Sequence, residues 1–171
     1  MARGSSIIVA AQPKGQFEGI IVSGTPKPGT VMLQTNAAVS VGVGRNTYSA
    51  RTGYADGAAG PVAVLLEDEL QGSGMTQAYV SGAWGRIYWP IAGEDLNMIL
   101  KYEAGTGTSL ETGVGTRLEI QGATGKLQSK GTWNTPAGAH VSNPFMTCEA
   151  LPGTPFLADY LIWVRYLGNE A

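Results

Sequence analysis

The sequence predicts a mainly β protein, a single-domain barrel or sandwich with little helix and a flexible N-terminal arm. Three observations carry that expectation. Its 25 glycines and 9 prolines are spread over 171 residues without a Gly-X-Y period, which suits many short strands joined by tight turns. Residues 62–66, Val-Ala-Val-Leu-Leu, are apolar at both parities, as in a strand covered on both faces. Residues 116–121 alternate instead, Leu118 and Ile120 against Arg117, Glu119 and Gln121, the period of a half-buried strand.

Taken in order, residues 1–17 carry one short apolar patch, Ile7, Ile8 and Val9 with two alanines, before Pro13, Lys14 and Gly15. They read as an arm, and residues 18–171 as the β-rich domain. A strand is expected over residues 17–22, stopped by Gly24, Pro26, Pro28 and Gly29, since proline cannot donate to a ladder and glycine permits the turn. A second strand follows at residues 30–33. Residues 36–60 alternate small side chains with glycine, with Tyr48 and Tyr54 the only large ones, and read as a long loop or a weak hairpin. The two-sided strand at 62–66 leads through a Gly-rich turn into an aromatic run ending at Pro90. Residues 96–102 fit strand or helix, and strand is preferred. Residues 105–115 form a Gly-rich turn region. The strand at 116–121 and residues 126–130 make a hairpin across Ala123, Thr124 and Gly125. Residues 145–151 alternate, and residues 159–167, apolar at both parities, are either a second central strand or an edge sealed by another subunit.

Charge is sparse, with 14% Asp, Glu, Lys and Arg and a formal net charge of −2. No summed positive field is available to condense on phosphate, so nucleic acid is not an expected partner. A surface so poor in charge is common where it is buried against other subunits. One cysteine, Cys148, rules out an internal disulfide, and the N-terminal apolar run is too short for a secretory signal or a membrane span.

Candidate chemistry is thin. Glu67, Asp68 and Glu69 are the first place to look for paired carboxylates, and Glu67 with Glu94 would be the pair of a glycoside hydrolase. The plainer reading is a strand end turning into solvent. Glu94 and Asp95 read as a loop or the first turn of a helix. One histidine, His140, and one cysteine give no zinc spacing, and no EF-hand loop is present, so no metal or cofactor is expected. Cys148 reads as a small buried hydrophobe on a strand. The loops around Gly42 and Gly105 lack the lysine and Ser/Thr of a phosphate-binding loop, and no nucleophile elbow occurs. The protein is therefore not expected to be an enzyme. Trp84, Trp89, Trp133 and Trp163 fill a core or subunit interface, or else stack on sugars.

The runs GIIVSGTPKPGTVMLQ, GPVAVLLEDELQGSG, AYVSGAWGRIYWP, GTRLEIQGATGKLQ, NPFMTCEAL and DYLIWVRYLG resemble, in order and spacing, the head decoration or capsid cement proteins of tailed bacteriophages, from about Gly19 onward. That resemblance implies a homotrimer, made in the bacterial host cytoplasm, that sits on the outer surface of the expanded capsid and clamps neighbouring major capsid subunits. It implies no catalysis, cofactor, membrane or nucleic-acid partner. The capsid-binding arm would use Ile7, Ile8 and Val9, while Trp84, Tyr88, Trp89 and Trp163 are expected in the core or the trimer interface. The alternative is a carbohydrate-binding β-sandwich module of a phage particle, with tryptophan exposed.

Overall fold

The computed structural model describes residues 14–35, 45–51, 62–67, 74–100, 114–120, 124–129, 144–150 and 160–168. Ten strands and no helix occur among them: β1 (Gln16–Ser23), β2 (Val31–Gln34), β3 (Thr47–Ala50), β4 (Ala63–Leu65), β5 (Trp84–Trp89), β6 (Asp95–Leu100), β7 (Arg117–Ile120), β8 (Leu127–Ser129), β9 (Phe145–Thr147) and β10 (Tyr160–Tyr166). The protein is mainly β, as its glycine and proline usage predicts.

The strands close into two five-stranded barrels, β1-β3-β2-β4-β5 and β10-β6-β8-β7-β9. In the first, β1 pairs parallel with β3, and β3 with β2, β2 with β4, β4 with β5 and β5 with β1 all pair antiparallel. The second repeats this pattern strand for strand. There β6 pairs parallel with β8, and β8 with β7, β7 with β9, β9 with β10 and β10 with β6 pair antiparallel. The fold is thus two copies of one topology in tandem. Closure leaves neither barrel with an open edge, which settles the reading of residues 159–167: β10 is flanked by β6 and β9 and is no edge.

The two-sided strand at β4 has a concrete explanation. Ala63 and Leu65 point into the first barrel with Ile20, Val22, Met32, Tyr48, Tyr79 and Ile87. Val62, Val64 and Leu66 point the other way, joining Val31 and Tyr88 in a cluster that continues through Leu96, Met98, Leu118, Phe145, Ile162 and Val164 of the second barrel. Each such side chain removed from water stabilises the fold by roughly 1.5–3 kcal/mol. One apolar seam therefore joins the barrels.

Backbone contacts reinforce the seam. The Gly29 N–H donates to Leu65 O at 2.8 Å, and its own carbonyl accepts from the Ile99 N–H at 3.3 Å. The tip of the β7–β8 hairpin docks on β2, where Val31 N–H donates to Gly125 O at 2.8 Å. Gly125 has φ of +67°, and a Cβ there would lie 2.5 Å from Val31 O, so both its backbone conformation and the close approach require glycine.

Three sequence expectations are corrected. Residues 36–60 include β3, which bridges β1 and β2 rather than forming a local hairpin. Residues 14–17, expected in the arm, belong to the body: β1 starts at Gln16, and Lys14 and Gly15 are tied to it by hydrogen bonds to Glu94 and Tyr88, while residues 1–13 lie outside the described residues. Glu67 is buried at 7% exposure rather than turned to solvent, while Asp68 and Glu69 lie outside the described residues.

Candidate functional site

The sheet formed by β1 and β5 has an inner face that fills the first barrel and an outer face that does not pack on the second over most of its length. Period-two alternation puts Phe17, Gly19 and Ile21 of β1 on that outer face, opposite Tyr88, Arg86 and Trp84 of β5 in register. Phe17 is 51% exposed and Trp84 48% exposed. Arg86 is exposed beside them, and the Arg45 guanidinium sits 4.8 Å from the centre of the Trp84 ring, a cation–π stack. Arg45 also lies over Gly19, where any Cβ would collide with its Nη1. Among the described residues no carboxylate pairs with Arg45 or Arg86. The face is aromatic and cationic, on a chain whose net charge is negative.

Tyr88 leaves this face at the seam. Its ring packs on Phe17 with centroids 4.9 Å apart, and its hydroxyl donates to the Glu94 carboxylate, 2.7 Å from each oxygen. Glu94, 7% exposed, also accepts from the Lys14 N–H at 2.6 Å and the Ile91 N–H at 2.9 Å. Burial pushes the Glu94 carboxyl up, but these donors outweigh it and hold the acid below its ordinary range. Burial first, and the Glu94 hydrogen bond second, push the Tyr88 phenol up to about 12. Glu94 therefore clamps the start of the body, the end of β5 and the turn into β6. A carboxylate held by three donors acts as a structural clamp.

Glu18 has a related role at the mouth of the first barrel, accepting from Trp89 Nε1 at 3.2 Å, Tyr48 Oη at 3.2 Å and Asn46 Nδ2 at 3.4 Å. Burial, then the Glu18 charge, push the Tyr48 phenol up to about 12. On the second barrel Arg165 makes a bidentate pair with Asp95, Nε to Oδ1 at 2.8 Å and Nη2 to Oδ2 at 3.0 Å. That bond holds the Asp95 carboxyl low. Cys148 lies just past β9, half-buried rather than buried on a strand as expected, with Sγ 3.6 Å from Asp95 Oδ1. Burial, then the Asp95 charge, push the thiol up, away from the thiolate a nucleophile needs.

The structure separates the four aromatics that the sequence grouped. Trp84 is on the surface, Tyr88 at the seam and Trp89 half-buried against the interior of the first barrel. Trp163 is half-buried on the outer face of β10, opposite Asn97. Trp133, His140, Ile7, Ile8 and Val9 lie outside the described residues. Sequence reasoning missed Phe17, Arg45 and Arg86. The available signal was Trp84-Gly85-Arg86, which recurs as Trp163-Val164-Arg165 in the equivalent strand. Among the described residues no three His, Cys, Asp or Glu side chains group as metal ligands. Comparison with protein-family models finds no match, and comparison with curated proteins finds none.

Proposed function

We propose that this protein is a capsid decoration protein: a structural virion component that binds the outer surface of a phage capsid as a homotrimer and cements neighbouring major capsid subunits. The observation that carries this reading is the outer face of β1 and β5. Phe17, Trp84, Arg45 and Arg86 stand in solvent there on a frame closed at every edge, the kind of aromatic and arginine surface enriched at protein interfaces. The carboxylates Glu94 and Asp95 are engaged in structural bonds, which suits a clamp rather than a catalyst. Three copies of a modest contact on one trimer bind persistently, because the second and third engage at high effective concentration.

The test is binding of purified protein to expanded capsids, followed by co-sedimentation, with the oligomeric state measured by sedimentation equilibrium. A trimer that co-sediments, and a Phe17→Ala, Trp84→Ala variant that stays trimeric but dissociates from capsids, supports the proposal. A monomer without capsid affinity overturns it. The arm is tested by removing residues 1–13 only, because Lys14 and Gly15 belong to the body; loss of capsid affinity from a folded trimer assigns the arm a share of the contact.

The exposed Trp84 indole also favours a second reading, a carbohydrate-binding module. Host glycans would then shift tryptophan fluorescence and the shift would vanish in Trp84→Ala, whereas a cement protein stays silent.

A further inference from the structure

We infer that a cleft where the two barrels meet is a binding site for an oxyanion, a phosphate or carboxylate group. The cleft encloses about 400 Å³, within the size range of small-ligand sites. The first barrel lines it with Thr25, Lys27, Thr30 and Ser49, and the second with Thr124 and Lys126. Among the described residues the lining holds two lysines and several hydroxyl-bearing side chains but no carboxylate. Ammonium and hydroxyl groups donate hydrogen bonds that an oxyanion accepts, and the absence of acids disfavours a cation there.

Two further observations describe the cleft wall. Thr30 is 1% exposed, and its Oγ1 makes no hydrogen bond among the described residues. Buried hydroxyls are normally paired; this one is sealed beneath the cleft wall, so a guest meets it only when the wall shifts. The walls are also fixed before anything binds. Thr30 donates its N–H to Lys27 O at 3.2 Å and accepts from the Leu65 N–H at 2.9 Å, while Gly125, between Thr124 and Lys126, is bonded to Val31. A preorganised site loses little freedom on binding. The site is separate from the aromatic face of β1 and β5 and does not rest on the capsid reading.

The test titrates the full chain with inorganic phosphate and, separately, with an oligoglutamate peptide at constant ionic strength, following backbone amide shifts by NMR. Saturable shifts confined to residues 23–30, 49–50 and 124–126 are expected with at least one probe. Lys27→Met combined with Lys126→Met weakens that binding at least about tenfold, about 1.4 kcal/mol. Lys27→Met alone sits on an exposed turn and serves if the double variant fails to fold. Saturation by phosphate alone identifies a small free anion as the ligand, and tighter binding of the peptide identifies an acidic chain. Failure of both probes to saturate, or unchanged binding by the lysine variants, overturns the site.

Discussion

The two barrels share a topology and differ in what they do with the same positions. Register aligns Gly19 opposite Arg86 in the first with Asp95 opposite Arg165 in the second, and Ile21 opposite Trp84 with Asn97 opposite Trp163. A glutamate precedes each pair, Glu18 and Glu94. In the second barrel Asp95 neutralises the arginine and the tryptophan is half-buried. In the first, glycine replaces the aspartate, a second arginine lies over the gap, and the tryptophan stands in solvent. One copy of the scaffold has settled its charges internally, and the other presents them outward. The lesson is that a single cross-strand position, Asp or Gly, decides whether this sheet face is self-satisfied or available.

The largest test of the comparison sets the two glutamates against each other. Glu94→Ala strands three donors at the seam and costs about 3–5 kcal/mol, whereas Glu18→Ala, with longer bonds at a half-exposed mouth, costs about 1 kcal/mol; urea midpoints measure both. The pH dependence has a definite sign. The Glu94 carboxyl lies below its ordinary value of 4.5 in the folded state, so its stabilisation is fully present above that value and is lost as pH falls through the lower folded value. The acid-side loss of stability should flatten in Glu94→Ala.

Next in size, Gly125→Ala places a methyl against Val31 O and forces a positive φ on alanine, costing about 2 kcal/mol or more. Calorimetry should show the barrels uncoupling or the single transition moving to lower temperature. Gly19→Asp rebuilds on the first barrel the partner that Arg165 has on the second. Arg45, a flexible exposed chain, moves aside, so the melting temperature changes little while capsid co-sedimentation weakens, because Arg86 is neutralised. Asp95→Asn is the smallest perturbation: it removes an exposed ion pair, shifts melting only slightly, and speeds alkylation of Cys148 by removing the adjacent negative charge.

What the sequence disclosed follows from locality. The two-sided strand at 62–66 and the hairpin across Gly125 were legible because period and turn chemistry are encoded within a few residues. β3 was not, because Thr47, Tyr48, Ser49 and Ala50 form a short mixed segment whose strand state comes from β1, more than twenty residues away. The repeated topology was hidden for a similar reason: the halves share a glutamate and a Trp-x-Arg step but little else, and only the pairing order exposes the match. Glu94 looked like half of a catalytic pair because its real partners, Tyr88 and the Lys14 amide, meet it only once both barrels close. The residues of the aromatic face were individually ordinary, and it was register that assembled them.

The clamp at Glu94 has a mechanical consequence. Anything that tugs on the chain ahead of Lys14 transmits its force to the junction of both barrels, and onward into β1, which is bonded along its length to β5. Tension applied there falls first on the Glu94 bonds and on the Gln16–Trp89 pair at the start of the ladder, so the clamp must give way before β1 can leave the sheet. A tether rooted at such a point resists strain far better than one rooted at a free strand end.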